Sequence, residues 1–265
     1  MSNYDFHFET DNDGVATLTL DRPDTLNSLT FDIYGQLEQL FVDLRTDDSV
    51  KVVVLTGKGK GFCSGGNVEE IIGPLFDKDL AGTLKFTRMT GAVVRNMLQL
   101  DKPIIAAING VAAGAGSVLA LASDLRVMSD KAKFAFLFTK VGLTGADMGA
   151  GWLLPKIVGT GRAMELLMLG DKVLADECYR IGLANRVVAP DALLGVALKL
   201  AKRLADGPNL AYGMTKKMVW NEWPMNFDDA IEQEAQAQAL LLRARDHREF
   251  YDAWMQEREP KFEGR

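Results

Sequence analysis

The sequence predicts an α/β fold, because strand-like and helix-like segments alternate along its first part. A strand, a glycine-rich loop and a helix follow one another around residues 50–72 and again around residues 104–123. From Gly159 onward the pattern becomes helical. No low-complexity linker divides the chain, so we expect one structural unit with a core over residues 1–190 and a helical region over residues 191–265.

The N-terminal elements are predicted from alternation and from turn and cap residues. Val15–Leu20 alternates as a strand does, and the Asp-Asn-Asp-Gly turn at residues 11–14 pairs it with residues 6–9. Thr30 is a typical helix N-cap. It precedes apolar residues at helical spacing, namely Ile33, Leu37, Leu40, Phe41 and Leu44.

The next elements are read from β-branched runs and glycines. Residues 50–56 (VKVVVLT) predict a second strand, and residues 57–62 (GKGKGF) predict a glycine turn. Val68–Ile72 is predicted as a short helix, and residues 76–100 carry a helical period.

No charged residue lies between Lys102 and Asp124. A span of about 20 apolar residues could cross a bilayer. Asn109, the glycines and the lack of a second span favour a buried strand at Ile104–Ile108, a turn, and a buried helix over residues 114–123.

The remaining elements complete the α/β pattern. Residues 125–128 and 133–138 are predicted to be extended. Thr160 is predicted to cap the helix GRAMELLML, and further helices are predicted over residues 175–181, 191–204 and 227–243. The amphipathic faces of these helices suit subunit contacts, although packing within one chain explains them equally well.

Composition excludes several classes of function. The 265 residues carry a net charge of −6, which disfavours nucleic acid or an anionic membrane as the main partner. Two cysteines and two histidines make a disulfide framework, a histidine-centred triad or a histidine metal site improbable. The acidic start of the chain is unlike a secretory leader, so a cytoplasmic setting is expected.

Each of the two glycine loops opens a helix at the end of a strand. Helix N-termini present unpaired N–H groups and partial positive charge, so two of them can bind one carbonyl oxygen as an oxyanion hole. Tight turns and close helix packing are the alternative reason for such glycines. Neither loop matches the phosphate-binding or dinucleotide-binding glycine patterns.

Both loops resemble those of the enoyl-CoA hydratase/isomerase, or crotonase, superfamily. The first similarity is FCSGGNVEE at residues 62–70, and the second is KPIIAAINGVAAGAGSVLALASDLRV at residues 102–127. The resemblance extends in order over almost the whole chain. It also includes TLDRPDTLNSL, VGLTGADMGAGWLLPKIVGTGRAMELLMLG, IGLANRVV and the closing REPKFEGR.

The resemblance implies a spiral of ββα units with C-terminal helices that build a homotrimer or a dimer of trimers. The implied substrate is an acyl-CoA thioester, with no permanently bound cofactor and no metal. By motif position, the N–H groups of Gly66 and Ala115 would hold the thioester oxygen and stabilise an enolate. The resemblance places coenzyme A near Leu26, Ser64 and Val68. It also implies that Lys261 and Phe262 close over coenzyme A, often from a neighbouring subunit.

The chain departs from the hydratase pattern of that superfamily at two positions. Typical hydratases place one glutamate after the second glycine loop and another about twenty residues later. Val118 stands at the first position and Phe138 at the second, or Thr139 if the register slips by one. Water addition needs a group that activates water and one that protonates carbon, so hydration by the usual pair is in doubt.

Asp147 is the remaining carboxylate at a suitable place. Family branches that isomerise dienoyl-CoA, dehalogenate aryl-CoA or hydrolyse carbon–carbon bonds resemble this segment and use an aspartate there. Apolar surroundings would raise its pKa into a range where it can act as a catalytic acid or base. The alternative is that Asp147 caps the helix that follows it.

Three readings of function remain open. The first is an enoyl-CoA hydratase or related lyase, and the second is an isomerase, hydrolase or dehalogenase that uses Asp147. The third is a CoA-binding homologue without catalysis. Val118, Phe138 and Trp152 predict an apolar acyl site for a bulky or aromatic acyl group. A second catalytic group could come from the C-terminal helices, where Glu222, Trp223 and Tyr251 are candidates.

Overall fold

The computed structural model describes residues 4–264; the first three residues of the predicted core and Arg265, the last residue of the closing motif, lie outside them. The strands in this part of the chain are β1 (Phe6–Thr10), β2 (Val15–Leu20), β3 (Val52–Gly57), β4 (Gly61–Cys63), β5 (Ile104–Ile108), β6 (Val111–Ala113), β7 (Leu125–Ser129), β8 (Lys133–Ala135), β9 (Lys172–Leu174) and β10 (Arg186–Val188).

The helices lie between and after these strands. They are α1 (Phe31–Asp43), α2 (Gly73–Leu75), α3 (Leu80–Gln99), α4 (Ala115–Ala122), α5 (Ala150–Val158), α6 (Thr160–Leu169), α7 (Ala175–Arg180), α8 (Leu193–Ala205), α9 (Asn209–Glu222), α10 (Phe227–Leu241) and α11 (Arg245–Met255). A π-helical turn at Val68–Ile72 runs directly into α2.

The strands form two sheets. The larger sheet has the order β1-β2-β3-β5-β7-β10, with β1 antiparallel to β2 and every other neighbouring pair parallel. The smaller sheet has the order β4-β6-β8-β9, and its one antiparallel pair is β8 with β9.

Three successive strand pairs generate the spiral. In β3-β4, β5-β6 and β7-β8 the first strand joins the larger sheet and the second joins the smaller one. Helices follow each pair, so the repeating unit is ββα. The predicted α/β fold with a spiral of ββα units is therefore confirmed.

The predicted N-terminal elements are confirmed in detail. The β1–β2 hairpin pairs Phe6 with Leu20, and Asp11 Oδ1 accepts hydrogen bonds from the N–H groups of Asp13 and Val15 in the turn. Helix α1 begins after Thr30, whose Oγ1 accepts a hydrogen bond from the Ile33 N–H at 3.2 Å.

The charge-free stretch forms the centre of the molecule. Every residue of β5 and of α4 is buried. Both belong largely to one hydrophobic core that also includes α1 and the middle of α3. Within residues 4–264 no helix is long and apolar enough to span a bilayer.

Helix α8 covers the other face of the larger sheet. Leu193, Ala197, Ala201 and Ala205 lie on its buried side against the valines of β3 and residues of β5. Helix α9 is tied to the sheet by an ion pair in which Lys216 Nζ lies 2.8 Å from Asp124 Oδ2. That carboxylate also accepts from the Ile104 N–H at 2.7 Å.

Some local predictions were wrong. The turn predicted over residues 57–62 contains the start of β4, and the extended stretch predicted over residues 133–138 ends as a strand at Ala135. Thr160 does not cap α6, because it is the first helical residue and Gly159, with φ of 80°, is the N-cap. Strand β6 was not predicted, because three residues are too few to show a period.

Candidate active site

Two glycine loops meet between the sheets. We call residues 64–67, which follow β4, the first loop, and residues 113–116, at the start of α4, the second loop. Gly65 has φ of +99°, and a Cβ built there would lie 3.0 Å from the Ala113 carbonyl oxygen and 3.4 Å from the Ala115 nitrogen. The two backbones therefore approach as closely as a glycine allows.

Each loop presents a backbone N–H without an acceptor. Gly66 pairs with Leu29 in an isolated bridge, where Leu29 donates to the Gly65 oxygen at 2.8 Å and accepts from the Asn67 N–H at 2.9 Å. This bridge leaves the Gly66 N–H unused. Ala115 is the first residue of α4, so its N–H has no helical partner. Within residues 4–264 neither N–H donates a hydrogen bond.

The start of α4 is pressed against β4. A Cβ on Gly116 would lie 2.2 Å from the Cys63 carbonyl oxygen, so any side chain there would force the second loop away. Gly114, with φ of +50°, supplies the turn into α4 without a side-chain cap. The two free N–H groups thus sit on rigid, closely packed backbone, as an oxyanion hole requires.

Cys63 lies beside the first loop but is chemically inert. Its side chain is fully buried, and burial raises the pKa of the thiol to about 12, although a hydrogen bond from Gly65 acts in the opposite direction. The thiol is therefore protonated at neutral pH and serves as a small apolar side chain.

Asp147 is the carboxylate that the sequence analysis singled out as a candidate for proton transfer. It is half-buried, and burial raises its pKa above the ordinary value of 3.8, while the Met148 N–H donates to Oδ1 at 2.8 Å and partly offsets the effect. A carboxyl held in this way is suited to exchanging a proton with a substrate.

Helix capping does not occupy the Asp147 side chain. Helix α5 begins at Ala150, and its N-cap is Gly149, with φ of 96°. Asp147 contributes its backbone oxygen to the Ala150 N–H at 2.8 Å, whereas its carboxylate bonds only the Met148 N–H within residues 4–264. Met148 itself has φ of 50°, which marks a strained turn beside the carboxylate.

The fold and these loops agree with comparisons to known proteins. A family model described as enoyl-CoA hydratase/isomerase matches residues 10–265. The chain belongs to the enoyl-CoA hydratase/isomerase family. It is therefore an enzyme of the crotonase superfamily with a place in acyl-CoA metabolism.

Relatives in this family carry different activities. The chain is 36% identical over 256 residues to 1,2-epoxyphenylacetyl-CoA isomerase of Escherichia coli (strain K12), covering 95% of this chain and 96% of that protein. It is 30% identical over 251 residues to the short-chain-enoyl-CoA hydratase of Clostridium acetobutylicum, covering 94% of each.

Solved structures of the family share the fold. A crystal structure from Streptomyces coelicolor A3(2), provisionally assigned as an enoyl-CoA hydratase, is 50% identical. It superposes with a TM-score of 0.96 over 98% of this chain and 94% of that one. The crotonase fold, with two mixed sheets and C-terminal helices, is thereby confirmed.

The predicted acyl-site residues divide into two groups in this crotonase fold. Val118 on α4 and Phe138 after β8 are both buried, and they belong to the same core as Ala115 and Met148. Trp152 lies apart from them on α5 with 44% of its surface exposed. Its ring packs 5.5 Å from that of Trp220 on α9.

The residues predicted to bind coenzyme A fall into two groups, one beside the first loop and one in the C-terminal tail. Ser64 donates its hydroxyl to the Thr25 oxygen at 2.8 Å, and its N–H donates to the Leu26 oxygen at 2.9 Å. Leu26 and Val68 are exposed nearby, so these three predicted residues share one surface next to the first loop.

Lys261 and Phe262 lie in the tail that follows α11. The Lys261 N–H donates to Glu249 Oε1 at 2.7 Å, and the next residues are held through Asp246 of α11. Within residues 4–264 no hydrogen bond or ion pair joins Lys261 to the surface formed by Leu26, Ser64 and Val68.

The three candidate residues from the C-terminal helices have different surroundings. Lys156 lies over the rings of both Trp152, at 4.1 Å, and Trp223, at 4.5 Å. One carboxylate oxygen of Glu222, Oε1, is enclosed without a hydrogen-bond partner in the described chain. Tyr251 is exposed and lies 5.6 Å from the Arg248 guanidinium.

Proposed function

We propose that this protein isomerises an acyl-CoA by moving a proton through an enolate intermediate. The thioester oxygen would bind the N–H groups of Gly66 and Ala115, and Asp147 would carry the proton. The observation that supports this most is a half-buried carboxyl with a raised pKa together with two unused N–H donors on packed loops.

The proposed isomerisation needs only one carboxylate to move the proton. The Asp147 carboxylate takes a proton from an acyl carbon, and the electron pair of that C–H bond moves toward the thioester, where the carbonyl oxygen becomes an enolate oxygen. Two N–H donors stabilise that charge by about 3–4 kcal/mol each. The same carboxyl then returns the proton to a different carbon, so no second acid is needed.

Isomerisation is favoured over hydration by the side chains around the second loop. By the resemblance, Val118 and Phe138 would take the positions of the hydratase glutamates, and both side chains are buried and apolar. Neither can activate water. An apolar wall also suits a bulky or aromatic acyl group, with Trp152 proposed at its outer edge.

Hydration is the second candidate, because close relatives include a short-chain-enoyl-CoA hydratase. It requires a second proton-transferring group besides Asp147. Glu222, with an enclosed and unpartnered carboxylate oxygen, is the residue we would examine first for that role.

An Asp147→Asn variant tests the proposal. The purified enzyme is given a panel of enoyl-CoA and aryl-acyl-CoA thioesters, and products are separated by liquid chromatography and mass spectrometry. Isomerisation leaves the mass unchanged, hydration adds one water, and hydrolysis or dehalogenation breaks a bond. We expect an unchanged mass, and a loss of about 100-fold or more in kcat in the variant.

Asp171→Asn is the matched control, since Asp171 is an exposed carboxylate paired with Lys140 on the surface. It should turn over substrate as the unaltered protein does. Full activity in Asp147→Asn would remove Asp147 from the mechanism. Binding of coenzyme A thioesters without turnover of any of them would support a non-catalytic homologue instead.

We also propose that the protein assembles as a homotrimer or a dimer of trimers. The C-terminal helices expose large apolar side chains that a single chain leaves uncovered, including Phe227, Leu240, Trp254 and Met255. In such an assembly Leu26, Ser64 and Val68 would bind coenzyme A, and Lys261 and Phe262 would cover it from a neighbouring subunit.

A further inference from the structure

Arg22, two residues after β2, has a backbone that is held firmly in place. Its N–H donates to Asn27 Oδ1 and its oxygen accepts from the Asn27 N–H, each at 2.8 Å. Asn27 is buried, with 1% of its surface exposed. The point from which the Arg22 side chain leaves the backbone is therefore fixed.

The guanidinium of Arg22 connects the segment that pairs with the first loop to the turn that follows this loop. Nη1 donates to the Ser28 oxygen at 3.1 Å, one residue before the bridge between Leu29 and Gly66. Nη2 donates to Glu70 Oε2 at 2.7 Å, in the π-helical turn. The planar fork of an arginine presents two such donors at fixed angles, whereas a lysine presents one flexible ammonium group.

Two peptide groups in series connect this guanidinium to the Gly66 N–H. The Ser28 oxygen, which accepts from Arg22, belongs to the same peptide group as the Leu29 N–H, and that N–H donates to the Gly65 oxygen at 2.8 Å. The Gly65 oxygen in turn belongs to the same peptide group as the Gly66 N–H. Both peptides are trans, so the C=O and N–H of each point in opposite directions. Each hydrogen bond therefore continues in the direction of the one before it.

This chain of hydrogen bonds acts on the Gly66 N–H in two ways. The bond from Leu29 restrains the plane of the peptide group between Gly65 and Gly66, and with it the direction in which the N–H points. Hydrogen bonds in a chain also polarise one another, and a charged donor makes stronger bonds than a neutral one. The positive charge of Arg22 at the start of the chain thus makes the N–H at its end a better donor.

We infer that Arg22 is a positioning residue, which aligns and polarises the Gly66 N–H through the two peptide groups between them. The inference rests on the proposed function, in which that N–H stabilises the enolate oxygen. Arg22 need not touch the substrate in this role. Because negative charge on the oxygen grows as the enolate forms, the loss of Arg22 should reduce turnover more than substrate binding.

Arg22→Met tests this role, because it keeps an unbranched side chain and removes both donors and the charge. We expect kcat for the best substrate of the thioester panel to fall about tenfold while KM changes by less than about twofold, since the Gly66 N–H remains but is less well aligned and polarised. Arg22→Lys keeps the charge without the fork, so it should retain more activity than Arg22→Met. Partly exposed ion pairs contribute little to stability, so the melting temperature should fall by no more than about 4 °C.

An infrared measurement separates positioning from a merely structural role. The probe is benzoyl-CoA labelled with ¹³C at its carbonyl carbon, which stays intact because the neighbouring ring carbon carries no proton that Asp147 could remove. Hydrogen bonds to the carbonyl oxygen weaken the C=O bond and lower its stretching frequency. We expect the frequency of the bound probe to be lower in the unaltered protein than in water, and to move part of the way back in Arg22→Met. Arg22→Lys should lie between the two proteins.

Arg162→Met is the matched control. Arg162 is also partly exposed, with 31% of its side-chain surface accessible against 25% for Arg22, and it pairs with Glu165 and Glu177. These partners lie on α6 and α7, not in either glycine loop. The control therefore loses ion pairs of the same kind, yet it should leave both kcat and the carbonyl frequency unchanged.

Three outcomes overturn the role of Arg22 alone: an unchanged kcat in Arg22→Met, a rise in KM without a fall in kcat, or a carbonyl frequency equal to that of the unaltered protein. The second of these would show that Arg22 binds the substrate instead. Failure of the proposed function looks different, because the probe would then keep its frequency in water, or would not bind, in the unaltered protein itself. That result would overturn this inference together with the proposed function.

Discussion

Replacing Gly65 by alanine should damage catalysis far more than stability. The new Cβ would lie 3.0 Å from the Ala113 oxygen and 3.4 Å from the Ala115 nitrogen, at a φ of +99° that side chains rarely adopt. Relief of the contact must move one loop by a few tenths of an ångström. One of these two atoms, the Ala115 nitrogen, belongs to the proposed oxyanion hole, and the other lies two residues before it in the same loop.

The expected loss of folding stability and the expected loss of activity differ in size. Backbone strain at a residue of this kind costs about 1–3 kcal/mol of folding free energy, which corresponds to roughly 3–10 °C in melting temperature. Loss of one oxyanion donor costs about 100-fold or more in kcat. We therefore expect a folded variant with kcat reduced by about 100-fold and KM changed much less.

The assay compares initial rates with thermal unfolding followed by circular dichroism. Gly195→Ala is the control, because Gly195 lies in α8 and a Cβ there meets nothing within 4 Å. Alanine in a helix should raise its stability by about 0.5–1 kcal/mol and leave kcat unchanged. If Gly65→Ala is folded and fully active, the two loops do not form the site.

Three further predictions follow from charged groups. Because burial raises the pKa of Asp147 above 3.8, a base at this position is lost as the pH falls through that raised pKa, so kcat/KM should fall at a pH above 3.8. Rate–pH profiles check this, and an acid limb that persists in an active Asp147→Asn would contradict it. Lys216→Met removes the cation that pairs with the partly buried Asp124 carboxylate and should cost about 3 kcal/mol in urea unfolding. Asp124→Asn in the same chain should partly restore the stability, and an unchanged midpoint in Lys216→Met would contradict the prediction. Glu249→Gln should loosen the tail around Lys261, while Asp246 still holds Glu263 and Gly264, because the pKa of Glu249 is lowered to about 2 chiefly by its hydrogen bond with Arg258. In the unaltered protein the attachment of Glu249 to Arg258 is complete above pH 4.5 and is lost as the pH falls toward about 2. Proteolysis at neutral pH tests the prediction: the tail of the variant should be cut faster than that of the unaltered protein, and equal rates would refute it.

The sequence predicted the parts of the fold that carry a long pattern. The Thr30 cap and the apolar spacing that follows it predicted where α1 begins, and the charge-free run predicted β5 and α4. Strands β4 and β6 of the smaller sheet were missed because they have three residues each, and their pairing comes from contacts distant in sequence. No local pattern reports such pairing.

The candidate site, like the fold, was predicted only in part from the sequence. The glycines identified both loops, but their contact through Gly65 is a property of the assembled spiral. Val118, Phe138 and Trp152 together predicted an apolar acyl pocket, which stays a prediction, and the Trp152 ring packs against that of Trp220.

The position of the tail links the proposed site to the proposed assembly. Glu263 and Gly264 line a cavity with Asp101 and Lys102, which precede β5, whereas the second loop follows its far end. Five residues of a strand span about 16 Å. The end of the tail therefore lies beside the N-terminal end of β5, whereas the second loop of the same chain follows its C-terminal end. This placement favours the proposal that Lys261 and Phe262 cover the coenzyme A of a neighbouring subunit, in which case a separated chain would hold the proposed proton-transferring group but only part of the proposed coenzyme A site.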